Sequence, residues 1–226
     1  MIFVVGALCS VALGASPPHT AFSEGGRWVP VADEDGVTVS SRQNVTGMPT
    51  FRGETLIRGG ILDILAVFRD SPRHTEWMHR CKTSKVLMRY SDLEALIYNR
   101  TKAPWPVTDR DVVIRAKLVY DLEKKEAWNH FRSVRSALAP PVEDAVRMPM
   151  LRGFYHMIQL DPDRTVVVYQ VESDAGGWLP HWLRRSAAKN LPLVTLRNLR
   201  RRVESTRGQY EGQINTWKER YGLVKP

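Results

Sequence analysis

The stretch KAPWPVTDRDVV, residues 102–113, decides how this chain folds. Pro104 and Pro106 flank Trp105, and a proline drives the residue before it away from helical backbone. Ala103 and Trp105 are therefore both pushed towards extended conformations, and the segment is a stiff corner between two strands. Asp109, Arg110 and Asp111 follow at once. They can pin the corner by charge-assisted hydrogen bonds.

Alternation begins on both sides of the corner. After it, Val112, Ile114, Ala116, Leu118 and Tyr120 share one face, and Val113, Arg115, Lys117, Val119 and Asp121 share the other. Successive strand side chains point to opposite faces, so the first set faces inward. Before the corner, Leu93, Ala95, Ile97, Asn99 and Thr101 form a small, mild face opposite Glu94, Arg100 and Lys102. Such a lining fits a filled core or a cavity, and alternation does not separate the two.

Further out, GVTVSSR (36–42), TFRGETLIRG (50–59), VLMRY (86–90), AWNHFRSV (127–134), VRMPMLRGFYHMIQL (146–160) and RTVVVYQVES (164–173) read as strands, with a turn at Gly47, Met48 and Pro49. The spacing of ILDILAVFRD (61–70) predicts a helix with Ile61, Leu62, Leu65 and Phe68 on one face. A short helical piece begins at Pro72, and residues 180–206 predict a long helix. Consecutive strands bracketed by helices give an α+β chain with an antiparallel sheet.

Composition supports one domain. The 226 residues include seven tryptophans and 43% hydrophobic residues, enough for a core. The formal net charge of +9 favours anionic partners. The first 15 residues are apolar and uncharged, too short to span a bilayer at about 20 residues. They read as the core of a signal peptide over 1–23, although no basic residue precedes them, so an uncleaved anchor stays open. Residues 24–29 form a linker, 30–207 the folded domain and 208–226 a C-terminal extension. Without Cys9, Cys81 is the sole cysteine, so the fold stands on packing with no internal disulfide.

Catalytic signatures are few. The sequence contains no phosphate-binding loop, dinucleotide fingerprint, HExxH or G-x-S-x-G. His74, His79 and Cys81 lack the spacing of a zinc set. No catalytic residue, metal or cofactor is assigned. In the long helix, Leu191, Leu199 and Val203, with Leu196 nearby, make an apolar stripe. Arg184, Arg185, Lys189, Arg197, Arg200, Arg201 and Arg202 fall on other faces, which read as a solvated back or as a surface for anionic lipid headgroups. Nucleic acid is not indicated, because no recognition motif accompanies the charge.

Four segments, DSPRHTEWM (70–78), KAPWPVTDRDVV (102–113), VRM…LRGFY (146–155) and SDAGGWLPHWL (173–183), occur in the order and spacing of a START domain. Over residues 30–206 the chain resembles this steroidogenic acute regulatory protein-related lipid transfer family. The resemblance implies a helix-grip fold: a curved antiparallel sheet around a long C-terminal helix, enclosing a hydrophobic tunnel for one lipid. It places Gly176 and Gly177 in a turn out of the last strand and Pro180 at the start of the closing helix. Sterol-carrying members have an acid and an arginine in the tunnel, where this chain has Ile97 and Ala116.

The expected function is lipid binding or transfer by an exported, periplasmic monomer that meets anionic membranes. The expected lipid-contacting residues are Ile97, Asn99, Thr101, Trp105, Ile114, Ala116, Tyr155 and Leu191. For Trp105 a scaffold role in the corner stands beside a place at the tunnel mouth. The inward face after Gly153 is ambiguous, since a glycine bulge can shift alternation. The alternative is a helix-grip enzyme of cyclase or hydrolase type, which would need a histidine or carboxylate facing the cavity; His130 and His156 are the candidate histidines, and each reads more readily as a surface or mid-sheet residue. The tail reads as a loose extension or as a short helix packing Trp217 back on the domain.

Overall fold

The computed structural model describes residues 26–45, 48–121 and 123–221, except the side chains of 181, 184, 185, 187 and 188. The signal peptide expected over 1–23, Gly47 of the expected turn and the side chains of Arg184 and Arg185 lie outside the described residues. In chain order the strands are β1 (Val29–Glu34), β2 (Val37–Gln43), β3 (Pro49–Arg58), β4 (Cys81–Ser91), β5 (Glu94–Thr101), β6 (Asp109–Asp121), β7 (Glu126–Ser133), β8 (Ala145–Arg147), β9 (Met150–Asp161) and β10 (Arg164–Asp174). Helix α1 (Ile61–Arg69) and a 3-10 turn (Ser71–Glu76) separate β3 from β4; α2 (His181–Ser205) and α3 (Glu211–Arg220) end the chain.

One antiparallel sheet runs in the order β1-β2-β3-β10-β9-β7-β6-β5-β4, with β8 added to β6 in parallel. Its curved inner face repeats every second residue: Val37 and Val39, Ala127 and Phe131, Tyr155 and Met157, and Val167, Tyr169 and Val171 are all buried. This is the helix-grip fold, with α2 lying against β1, β2, β3 and β10. Gly53 sets how closely the helix approaches. A Cβ there would stand 2.7 Å from a Leu196 methyl and 3.1 Å from Pro192.

Three local expectations change. Helix α1 buries Ile64, Ala66 and Val67 as well as Ile61, Leu65 and Phe68, while Leu62 is only half-buried. It touches α2, α3 and β9 at once, so it has no solvated back. The strand expected over 146–160 is broken at Pro149, which cannot donate to a ladder. Gly153 makes no bulge: β9 pairs with β10 in unbroken register from Met150 to Gln159. Alternation therefore continues, and Tyr155 faces inward. The apolar stripe of α2 also shifts, with Leu193, Leu196, Leu199 and Val203 buried and Leu191 half-buried.

The corner is fastened as its sequence implies. The Asp109 carboxylate accepts from Arg100 Nε at 2.8 Å, Lys82 Nζ at 3.1 Å and the Ala103 amide at 3.1 Å. Arg110, on the inner face, donates to the carbonyls of Thr108 (2.6 Å), Gly176 (3.1 Å) and Trp178 (3.0 Å). Asp111 takes a two-pronged contact from Arg147 at 2.7 and 3.0 Å, and its side chain is 0% exposed. Removing one partner of such a buried pair leaves an uncompensated charge and costs about 3–5 kcal/mol. Arg147→Ala is thus expected to lose about that much in urea denaturation. Arg147→Lys should recover only part, because lysine lacks the planar fork. A loss below 1 kcal/mol for the alanine variant would show that β8 does not depend on this pair.

Candidate functional site

Between the inner face of the sheet and its helical cover lie two cavities of about 110 and 220 Å³. A single water needs about 10–15 Å³, and an apolar cavity of roughly 150 Å³ already admits benzene. The second exceeds that size, and the first falls somewhat short of it. They meet at Met78, Asn99, Leu151 and Tyr169, which line both. The first runs towards α1 and the β4–β5 turn; the second runs out between the corner after β5 and the turn before α2.

Seven of the eight expected residues line this space. Ile97, Ile114, Ala116 and Tyr155 line the first cavity, Thr101 and Leu191 the second, and Asn99 both. Trp105 does not. It is 91% exposed, joined to Pro106 by a cis peptide bond, and turned outward from a corner whose Ala103 and Pro104 line the second cavity. The carboxylates of Asp109 and Asp111 hold the corner, so the indole has no packing role in it.

Sequence reasoning found Tyr155 but missed the rest of the aromatic wall of the first cavity. Phe68, Trp77, Tyr155 and Tyr169 form it, with Tyr155 and Tyr169 stacked at 4.3 Å and Phe68 against Tyr155 at 4.6 Å. Tyr169 was legible as the inward position between Val167 and Val171. Phe68 and Trp77 meet it only through long-range packing. Among the described residues, Asn99 Oδ1 and Trp77 Nε1 are buried without a hydrogen-bond partner. Burial, then the neighbouring Tyr169, pushes the Tyr155 phenol well above its usual range.

The titratable groups here suit storage better than proton transfer. His74 Nε2 lies 2.8 Å from the Phe68 carbonyl, leaving Nδ1 towards Ser84 at 3.5 Å. Burial brings its pKa from 6.5 down to about 4, against the raising effects of that carbonyl and Asp70. Burial likewise pushes the Cys81 thiol in the second cavity up to about 11, which keeps it protonated and unreactive. His130 and His156 stand on the outer face, each stacked on Trp128, and His156 Nε2 lies 2.9 Å from Glu126. Alternation from the inward Phe131 and Tyr155 puts both there, in line with the surface or mid-sheet placement read from the sequence, so neither histidine reaches the lumen.

The comparisons agree with this geometry. The START domain family matches residues 20–207. The chain is a START-domain protein. An uncharacterized protein of Pseudomonas aeruginosa is 34% identical over 181 residues, 78% of this chain and 87% of its own length. The crystal structure of a STAR-related lipid transfer protein from Xanthomonas axonopodis is 28% identical, with a TM-score of 0.70 over 78% of this chain and 98% of that one. Human StAR-related lipid transfer protein 5, 20% identical over 79% of this chain and 86% of that one, shares the fold at a TM-score of 0.68.

Where the resemblance sets the acid and arginine of sterol carriers, this START domain presents Ile97 and Ala116 to the first cavity. The basic residues of α2 are also less free than their sequence implies. Lys189 pairs with Glu34, Arg197 with Asp35 and Arg202 with Glu76, while Arg200 donates to the Asp35 carbonyl.

Two outcomes follow from the buried polar groups. The unfolded chain protonates His74 below pH 6.5, but the folded one does so only near 4, so stability is complete above 6.5 and falls with acid. By pH 4 the loss reaches roughly 3 kcal/mol. An NMR titration of His74 should give a midpoint near 4, and one near 6.5 would remove this acid sensitivity. Asn99→Leu, which deletes a buried, unpartnered amide oxygen, should raise the stability of the ligand-free protein by about 1 kcal/mol. A drop in Tm would show that Asn99 already has a partner in the lumen, such as ordered water.

Proposed function

We propose that this START-domain protein carries one hydrophobic molecule in its lumen and exchanges it at an anionic membrane surface. The observation that carries the reading is the pair of adjacent, largely apolar cavities with shared lining residues, the second opening near a rim of exposed tryptophans. Each methylene moved into such a space contributes about 0.8 kcal/mol, so an acyl chain supplies ample affinity without a charged anchor. Ile97 and Ala116 favour a plain apolar ligand over a sterol held by an ion pair.

The rim argues for a bilayer. Trp105, Trp178 and Trp182 are 91, 71 and 55% exposed. Arg110 ties the Trp178 turn to the Trp105 corner through the Gly176 and Trp178 carbonyls. Indoles favour the membrane interface, where an apolar body and a polar N–H are both satisfied. Arg80 and Lys102 line the second cavity near this rim. Each contributes about 1 kcal/mol near an anionic surface. With α2 largely engaged by Glu34, Asp35 and Glu76, the rim is the better docking surface. The apolar, uncharged run over residues 1–15, read as the core of a signal peptide over 1–23, supports a periplasmic setting for this exchange.

Native mass spectrometry of protein purified from its own host should show one retained lipid mass. An empty protein that also takes up no fatty acid or phospholipid would sink the carrier reading. In a vesicle assay, Trp105→Ala with Trp178→Ala should slow transfer about tenfold and weaken binding to anionic vesicles, with Tm unchanged because both side chains are solvated. Transfer at the parental rate would place the membrane contact elsewhere.

A further inference from the structure

The first cavity ends on a residue outside the family match. The indole of Trp217, on α3, forms part of its wall, whereas the START domain match stops at residue 207. Trp217 and Ile214 are buried, and α3 packs on α1. Polar contacts hold the helix there. Arg220 pairs with Asp92, the Tyr221 hydroxyl stands 3.4 Å from the same carboxylate, and the Tyr210 hydroxyl donates to Asp70 at 2.8 Å.

Charge gathers around this end. Arg69 pairs with Asp92 at 2.8 Å, and its guanidinium lies 5.7 Å from the centre of the Trp217 ring. Burial works against the charged Asp92, but Arg69 and Arg220 outweigh it and keep the carboxyl below its ordinary range. The rest of the wall includes Leu65, Phe68 and Leu118. Arg69 and Asp92 line the same end of the cavity, so an apolar chain running inward from the rim meets the indole set beside an Arg–Asp–Arg cluster.

We propose that Trp217 is the floor of the lumen and sets the longest ligand the protein can hold. The inference rests on the carrier reading and adds a specificity-determining residue from the C-terminal extension. A large aromatic at this point stops a chain sterically, and its Arg69 contact fixes it in place. A shorter side chain leaves space for further methylenes.

The test is a binding series of straight-chain fatty acids of graded length, read by native mass spectrometry and by titration, on the full chain. The parent should show a length cut-off. In Trp217→Ala the cut-off should rise by two carbons or more, and the acid two carbons beyond the parental optimum should bind about tenfold tighter, at about 0.8 kcal/mol per methylene. Trp217→Phe should restore most of the parental cut-off. Ile214→Ala removes buried packing from the same helix without touching the cavity wall, so it should lower Tm and leave the cut-off in place. Trp217→Leu supplies the same comparison should the alanine variant not fold. An unmoved cut-off in a folded Trp217 variant overturns the floor and leaves the carrier intact. Failure of parent and variants to bind any acid overturns both.

Discussion

Asp109, Arg110 and Asp111 fasten three different parts of the shell, and strand geometry is what lets adjacent residues do so. Alternation sends Arg110 to the inner face and the two aspartates to the outer one. Outside, Asp109 gathers Arg100, Lys82 and the Ala103 amide, while Asp111 captures Arg147 and with it β8. Inside, Arg110 is surrounded by carbonyls of its own strand start and of the 175–178 turn. A buried ion pair is weak evidence for stability in itself, since desolvation offsets much of its attraction. Its geometric effect here is larger. The mouth of the lumen is built from two loops far apart in sequence, and this motif is what holds them side by side.

That arrangement explains which features were legible. The corner between β5 and β6 was readable because prolines and paired charges act locally. The lumen-facing set Ile97, Asn99, Ile114 and Ala116 was readable because a strand has only two faces. The aromatic wall was harder, because Phe68 and Trp77 come from a helix and a 3-10 turn whose orientation depends on distant strands. Trp105 misled for a different reason. A tryptophan between prolines looks like packing, but Asp109 already satisfies the Ala103 amide and the neighbouring arginine and lysine. The corner closes without the indole, which is left in solvent. The docking of α3 was legible as one of two readings of the tail, a short helix packing Trp217 back on the domain, but the choice between them was not, since it depends on Asp70 and Asp92 more than a hundred residues earlier.

Charge needs the same care. A net charge of +9 and a helix rich in arginine suggest a basic surface. Three cations of α2 instead meet the carboxylates of Glu34, Asp35 and Glu76. These exposed pairs add little stability, about 0–1 kcal/mol each. Their effect is to lower the field that this helix presents to its surroundings. The exposed indoles at the opposite side of the loops are insensitive to salt in a way that arginines are not. Docking through aromatic burial and docking through charge are therefore separable by ionic strength.

The lumen also carries a cost that a filled core would not. Asn99 and Trp77 each bury a polar atom with no partner among the described residues, and such groups destabilise a fold by about 1–3 kcal/mol apiece. Cavity walls lose dispersion contacts as well, because atoms facing a void have no neighbours on that side. A sequence under pressure for stability alone would replace the amide with a hydrocarbon and fill the gap with larger side chains. Small Ala95 and Ala116 and polar Asn99 work in the other direction. Whatever occupies the space restores contacts to the folded state alone, so it stabilises the fold by mass action. Stability and occupancy are then linked. The α3 helix enters that linkage directly, because Trp217 is at once a buried anchor of the C-terminus and a wall of the space to be filled.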